Sequence, residues 1–327
     1  MKVVIALPHP FSLWQAPPWF LQRLKSQFPQ LFFSEVKDYL GLPMQLKDAD
    51  VFVGWSLRPE QLAIAPKLLW IHSPAAAVHQ LMFPALIKRQ IMVTNSSEVH
   101  GPVVAEHTMA LIMTLARRLE TASWYQQQKV WAQEQIWNEK PRPMEVAGSN
   151  LLMIGLGNIG REVVQRAKAM GMQVVGIREH PEKGNEGCEA VFAPTHLETI
   201  LGDMDFIVLA APLTEATKGF INAARLARIK PSAYLINVGR GPLIDDKALI
   251  AALRAKKIGG AALDVFEEEP LPASSPYWDL DNCLITPHMA ALTEKLWERH
   301  YALFSDNLLR FMMGKPLRGL VDQQRGY

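Results

Sequence analysis

The 327 residues carry 34 Lys and Arg against 32 Asp and Glu, a net charge of +2, and 49% of them are hydrophobic. That length holds two domains with sizeable cores. The scattered, nearly balanced charge excludes a chain that works by electrostatic attachment to nucleic acid or a membrane surface. Two cysteines, Cys188 and Cys283, lack metal-ligand spacing, so neither a metal site nor a disulfide framework is expected. They read as reduced thiols of a cytosolic protein. Nine tryptophans are present but are not interleaved with a basic cluster, so packing is their expected role. Met1-Lys2, five apolar residues and Pro8 are too short for a signal peptide and fit a first strand. No apolar run reaches membrane length, because the stretch near 103–115 contains Glu106 and His107. The cytoplasm is the expected location.

Residues 1–98 alternate strand-like and helical patterns. Strands are expected at Val3–Leu7, Leu31–Ser34, Ala49–Val53, Leu68–Ile71 and Ile91–Thr94, and helices at Pro18–Phe28, Arg58–Ala65 and Val78–Lys88. Such alternation predicts a small parallel sheet covered on both faces. A long helix is expected from Pro102 through VVAEHTMALIMTLARRLETAS, apolar over more than one face and so buried against another domain or subunit. Gln126–Ser149, with Trp131, Trp137, Pro141 and Pro143, reads as a long loop.

The central stretch is Leu151–Gly160, LLMIGLGNIG, followed by an amphipathic segment to Gly171 and a second apolar run, Met172–Ile177. Strand, glycine turn, helix and strand form the context in which G-x-G-x-x-G binds a dinucleotide. Gly155 permits the tight turn, Gly157 lets a pyrophosphate approach, and Gly160 lets helix and strand pack closely. The N–H groups of Asn158 and Ile159 then face the phosphates at a helix N-terminus. Further strands are expected at Ala190–Phe192, Asp205–Leu209, Ala233–Asn237, Gly260–Asp264 and Asn282–Ile285. Thr195 with Glu198 has the spacing of a capping box, and Asp245 is placed to cap a helix over Lys247–Lys256. Six strands wrapped by helices make a doubly wound sheet. The tail 293–313 is a helix, stopped by Gly314 and Pro316.

In such sheets ligands bind beyond the carboxyl ends of the strands. The positions just past the strands hold the glycine turn, Pro212 in LAAPLTEAT, Gly239-Arg240-Gly241 in INVGRG, Asp264 in LDVFEEEP and His288 in ITPHMA. Singly, the last three could be a surface charge, a helix cap and a packed histidine. At equivalent strand ends they point to one cleft.

Through GLGNIG, PLTEAT, NVGRGPLID, LDVFEEEPLP, TPHMA and the closing VDQQRGY, the sequence resembles the D-isomer-specific 2-hydroxyacid dehydrogenase family along nearly its whole length. The resemblance implies an α/β fold. A Rossmann-type doubly wound parallel sheet at 101–289 binds the cofactor, inserted in a smaller flavodoxin-like α/β substrate domain of 1–100 plus 290–327. It implies Arg240, Glu269 and His288 as the catalytic residues, with Glu269 preferred over Glu267 and Glu268 because it precedes Pro270. His288 would donate the proton, Glu269 would fix its tautomer, and Arg240 would grip the substrate carboxylate. Gly155, Gly157, Asn158, Ile159, Gly160, Arg178, Pro212, Thr217, Val238 and Asp264 would line the cofactor, Asp264 at the nicotinamide carboxamide. Backbone N–H groups of Ala76 and Ala77 would bind the substrate, although the family usually has glycine at Ala77, aspartate at His79 and glycine at Ala291. A homodimer is expected from the long helix and the family pattern.

An acidic residue usually stands about 20 residues past the glycine turn and binds the adenosine ribose. Here Arg178 stands there, 18 positions after Gly160. Arginine pairs with a 2′-phosphate, which favours NADP(H) over NAD(H), with Glu179 as the ribose ligand if the register shifts by one. Gly54-Trp55-Ser56 follows the third strand where the phosphoglycerate type carries an arginine, and Trp55 is expected to form an apolar lid. With the chain ending at 327, no C-terminal regulatory domain is expected. A small unphosphorylated keto acid such as glyoxylate or hydroxypyruvate is the expected substrate. The alternatives are a phosphoglycerate dehydrogenase-like enzyme and a dinucleotide-sensing binding protein. The complete triad argues against the sensor, and Glu269 in place of glutamine argues against a formate dehydrogenase-like enzyme.

Overall fold

The computed structural model describes residues 1–323; the end of VDQQRGY, from 324 on, lies outside the described residues. Two compact units form, one from residues 1–100 and 293–327 and the other from 101–292.

The first unit is built on five strands: β1 (Lys2–Ala6), β2 (Phe32–Glu35), β3 (Val51–Gly54), β4 (Trp70–His72) and β5 (Met92–Thr94). They are parallel and lie in the order β2-β1-β3-β4-β5. The central strands read as continuous apolar runs because both faces of the sheet are covered. Val4, Ala6, Phe52 and Ile71 face one core, and Val3, Ile5, Val51, Val53 and Trp70 face the other. The second core takes in Phe20 and Leu24 of the helix Pro18–Gln27, and Trp297, Phe304 and Leu308 of the tail helix Leu296–Met312. Gly314, at φ +65°, stands two residues beyond that helix.

The second unit carries seven strands, each matching a stretch read as a strand in the sequence, so that the count of six was one short: β6 (Asn150–Ile154), β7 (Gln173–Ile177), β8 (Ala190–Phe192), β9 (Phe206–Leu209), β10 (Tyr234–Asn237), β11 (Gly260–Leu263) and β12 (Cys283–Ile285). The two strands of the central unit and all five later candidates join one parallel sheet, ordered β12-β11-β10-β9-β6-β7-β8. The chain starts in the middle at β6, winds outward through β7 and β8, then returns to β9 on the other side. The switch point therefore lies between β6 and β9, and a doubly wound sheet opens its ligand crevice there, at the carboxyl ends. Helix Asn158–Ala169 follows β6 and buries Gly160, Val163, Val164 and Ala167.

Some local expectations change. The long helix starts at Ser97, so Pro102 sits inside it, and it ends at Arg117. Arg118 adopts the left-handed conformation (φ +53°) and splits off a separate helix, Leu119–Gln127. The segment read as loop contains a short helix, Gln133–Asn138. Thr195 and Glu198 form no capping box: the helix Leu197–Ile200 is capped by His196, without a side-chain hydrogen bond. Asp245 does cap Asp246–Arg254, accepting the Ala248 N–H at 3.1 Å. Among the described residues no helix is long and apolar enough to cross a membrane.

Candidate active site

The glycines after β6 divide into two kinds. Gly155 takes φ +97°, and a Cβ there would stand 2.7 Å from Ala211 N in the loop after β9. Gly160 has no room at all, since its Cβ would lie 2.0 Å from Gly155 O. These two are required by the turn and by helix packing. Gly157 is different: its backbone is extended, and a Cβ would meet nothing within 4 Å. The protein's own packing does not demand glycine there, which fits a group approaching from outside. Asn158 and Ile159 begin the helix, where N–H groups have no intrahelical acceptor and attract phosphate. The cradle therefore fits a dinucleotide.

Arg178 immediately follows β7, and its N–H bonds Phe192 O at 3.1 Å. Its guanidinium contacts Glu186 Oε1 at 3.2 Å and Gly184 O at 3.5 Å. After β9, the Thr217 hydroxyl donates to Pro212 O at 2.7 Å and accepts the Thr214 N–H at 2.8 Å, folding PLTEAT into a compact turn. Val238, buried beyond β10, donates its N–H to Leu209 O.

Arg240 is set by a clamp at the end of β10. The fully buried Asn237 side chain accepts the Gly239 N–H at 3.0 Å and donates to Arg240 O at 2.9 Å. Gly241 then packs so closely that a Cβ would lie 2.0 Å from Phe266 C, drawing the loop after β10 onto the loop after β11. Burial lowers the affinity of the Arg240 guanidinium for its proton, and the Glu269 charge opposes that shift. Arg240 and Glu269 are thus electrostatically coupled.

Glu269 Oε2 lies 2.6 Å from His288 Nδ1, and Oε1 accepts the Phe266 N–H at 2.9 Å. The carboxylate accepts a proton-bearing Nδ1, so Nε2 is the nitrogen left to exchange a proton with a substrate. His288 itself adopts φ +49°, a left-handed backbone uncommon outside glycine. Asp264 holds it there. Its backbone carbonyl accepts the His288 N–H at 2.9 Å. Its buried carboxylate accepts the Thr286 hydroxyl (2.6 Å), the Met289 N–H (2.9 Å) and the Ala290 N–H (3.1 Å). His107 Nε2 stands 3.2 Å from Thr286 Oγ1 and 3.6 Å from Asp264 Oδ1, and burial depresses its basicity. A neutral His107 bearing its proton on Nε2 completes a chain from His107 through Thr286 to Asp264.

Thr286 and His107 are the residues that sequence reasoning missed. A polar residue two before His288 was a readable signal for Thr286. His107 looked like any histidine interrupting an apolar helix.

Trp55, Ala76 and Ala77 belong to the first unit. Trp55 follows β3, its ring packing against His9 (5.5 Å between centroids) and edge-on to Trp14 (6.0 Å). Its Nε1 is buried with no hydrogen-bond partner among the described residues. Ala76 and Ala77 lie beyond β4, in a turn where Asn95 Nδ2 donates to Ala76 O at 3.0 Å. Among the described residues no cluster of His, Cys, Asp and Glu could hold a metal ion.

Residues 109–290, more than half of the chain, match the family D-isomer specific 2-hydroxyacid dehydrogenase, NAD binding domain. A glyoxylate reductase of Korarchaeum cryptofilum is 35% identical over 289 residues, 86% of this chain and 85% of its own. A D-isomer specific 2-hydroxyacid dehydrogenase from Xanthobacter autotrophicus Py2, solved with NADPH and MES, has a TM-score of 0.84 at 28% identity, covering 99% of each chain. The NADPH-dependent glyoxylate/hydroxypyruvate reductase of Sinorhizobium meliloti, solved with NADP and sulfate, has a TM-score of 0.82 at 26% identity, covering 100% of each chain. With Arg240, Glu269 and His288 gathered beyond the strand ends of such a sheet, the chain belongs to the D-isomer specific 2-hydroxyacid dehydrogenase family and is an NAD(P)-dependent enzyme.

Proposed function

We propose that the protein reduces a small, unphosphorylated 2-keto acid of the glyoxylate or hydroxypyruvate type to the D-2-hydroxy acid, with NADPH preferred and His288 as proton donor. The observation that carries this reading is the 2.6 Å contact of His288 Nδ1 with Glu269 Oε2, with Arg240 coupled to the same carboxylate. A bound nicotinamide supplies the hydride. Arg240 holds the substrate carboxylate and polarises the carbonyl. His288, as imidazolium, donates its Nε2 proton to the carbonyl oxygen, and Glu269 stabilises the charged ring beforehand. In the oxidative direction the neutral ring takes that proton back.

Residues 101–289 take the cofactor in this reading, through the glycine turn, Pro212, Thr217, Val238, Asp264 and Arg178. The residues 1–100 and 290–327 take the substrate, through Trp55 and the N–H groups of Ala76 and Ala77. Trp55 in place of an arginine supports an unphosphorylated substrate, as does the likeness to glyoxylate reductases. Arg178 at the end of β7 supports NADP(H).

A second copy of the chain is the proposed partner. Trp124, Trp131 and Trp137 stand exposed in the segment after the long helix, Trp131 at 91%, and aromatic residues are enriched at such interfaces. A groove of Arg117, Gln133, Ile136, Trp137, Pro143 and Glu145 lies in the same segment. A dimer mass by light scattering is expected, and a monomer would remove this proposal. The unpaired cysteines support a reducing, cytoplasmic location.

The direct test follows NADPH and NADH consumption separately with glyoxylate, hydroxypyruvate, pyruvate and longer keto acids. Turnover with NADPH and a short acid is expected. Tight nucleotide binding with no turnover on any acid would move the assignment to a sensor.

A further inference from the structure

The guanidinium at the end of β7 is already occupied by an anion of the protein itself. Arg178 Nη1 lies 3.2 Å from Glu186 Oε1, and Gly184 O adds a weaker contact at 3.5 Å. Both side chains are largely shielded from solvent, so salt screens this pair less than an exposed one. Residues 178–186, REHPEKGNE, hold two permanent cations, Arg178 and Lys183, against three carboxylates, Glu179, Glu182 and Glu186. A 2′-phosphate pairing with Arg178 would have to share or replace this carboxylate on the guanidinium.

The segment bearing Glu186 is built so that it can let go. Glu186 has φ +51°, a left-handed backbone unfavourable for a residue with a Cβ. It stands between Gly184 (φ +115°) and Gly187 (φ +91°), and a Cβ at Gly184 would meet nothing within 4 Å. The ion pair therefore helps to hold a strained, glycine-flanked turn against the strand end. The turn is also held by the Gly187 N–H on Asn185 Oδ1 (3.2 Å) and the Cys188 N–H on Asn185 O (2.8 Å), so it does not need the pair to keep its path.

We propose that Glu186 is a specificity-determining residue, an internal counter-anion that a 2′-phosphate must displace from Arg178. The inference rests on the NADP(H) reading of Arg178. In the absence of a 2′-phosphate the pair stays closed, and an adenosine ribose with two hydroxyls has no reason to open it. NADPH binds by exchanging one anion for another on the same guanidinium, which holds its affinity below what Arg178 alone would give. Glu186 thus narrows the preference for NADPH over NADH.

The test is a double-mutant cycle in dissociation constants, read from nicotinamide fluorescence for NADPH and NADH. The four proteins are wild type, Glu186→Gln, Arg178→Gln and the double variant. Glutamine keeps the size of Glu186 and removes its charge. Glu186→Gln is expected to tighten NADPH about tenfold, leave NADH within twofold, and have less than a twofold effect when Arg178 is already glutamine. Unchanged or weakened NADPH binding would overturn the inference. So would equal tightening of both cofactors, or an effect that persists without Arg178. Failure of the NADP(H) reading itself looks different: Arg178→Gln alone would then leave the ratio of NADPH to NADH affinity unchanged. Adenosine 2′,5′-bisphosphate, competing against bound NADPH, should show the same tenfold gain with Glu186→Gln, and no gain would count against the proposal.

Discussion

Glu269 and His288 are joined through Oε2 and Nδ1 at 2.6 Å, while the other oxygen of Glu269 accepts the Phe266 N–H at 2.9 Å. Both partners present protons, so both carboxylate oxygens are needed. Glutamine offers one oxygen and one NH2 group and must abandon one partner or turn a donor toward a donor. Glu269→Gln is expected to lower kcat by about a hundredfold with NADPH affinity within twofold, since groups that orient a reacting side chain contribute at this scale. Stopped-flow turnover and fluorescence titration measure the two quantities. An unaltered kcat would remove Glu269 from the proton-transfer unit.

Asp264 is the anchor of the loop that carries His288. Its carboxylate accepts the Thr286 hydroxyl and two backbone N–H groups, and its carbonyl accepts the His288 N–H. Asp264→Asn places an NH2 group against at least one of these donors, in a buried site where such a mismatch costs about 1–3 kcal/mol. The expected outcome is a kcat lowered by about a hundredfold together with weaker NADPH binding, since the same carboxylate is proposed at the nicotinamide carboxamide. An unaltered NADPH dissociation constant would remove Asp264 from the cofactor site and leave it as the anchor of the His288 loop alone.

Arg240, Asp264 and His288 were readable in the sequence because each stands just beyond an apolar strand, whereas Glu269 was singled out from Glu267 and Glu268 only by the family resemblance. The ends of the long helix were harder, because its C-terminal end depends on a left-handed Arg118. His107 and Thr286 meet across 179 positions of chain, and no local pattern announces that contact. Nor could REHPEKGNE show that Arg178 would choose Glu186 over Glu179 or Glu182 as its partner, since that choice depends on the glycine-flanked turn. Pattern identified the chemistry; the positioning of that chemistry is a property of long-range packing.

Gly157 and Gly160 allow the cofactor cradle to be separated from its scaffold. A methyl at Gly160 would lie 2.0 Å from Gly155 O, so Gly160→Ala is expected to destabilise the second unit by about 3 kcal/mol, at the upper end for overpacking. A methyl at Gly157 meets no protein atom within 4 Å, so Gly157→Ala should change stability by less than about 1 kcal/mol. It should nevertheless weaken NADPH and NADH binding more than tenfold, by filling the space reserved for the pyrophosphate. Urea unfolding and nucleotide titration separate the two effects. Full nucleotide affinity in Gly157→Ala would show that the phosphates do not approach there.

The first unit should be sensitive to acid through histidines that are folded in the neutral form. His72 is buried, and its surroundings specify one tautomer. Thr94 Oγ1 accepts from Trp70 Nε1 (2.8 Å) and lies 2.8 Å from His72 Nδ1, to which it donates when the ring proton is on Nε2. Ser96 Oγ donates to Ser73 O (3.0 Å) and so accepts from His72 Nε2 (3.4 Å). Burial pushes the His72 pKa down from 6.5 to about 3. His300 is buried with neither ring nitrogen hydrogen-bonded among the described residues, and burial, with nearby His100 and His72, also carries its pKa well down. For both, the unfolded chain binds a proton that the folded chain refuses. Their contribution is therefore complete above the unfolded value near 6.5 and is lost as pH falls below it, for His72 until about 3. The slope is about 1.4 kcal/mol per pH unit for each histidine. His300→Phe removes two unsatisfied nitrogens beside Trp297 and should leave stability at pH 7.5 unchanged or higher. Urea midpoints between pH 7.5 and 5 should then fall less steeply for the variant than for the wild type, the carboxylates common to both cancelling in the comparison. Parallel curves would mean that His300 takes up its proton in the folded protein as readily as in the unfolded chain.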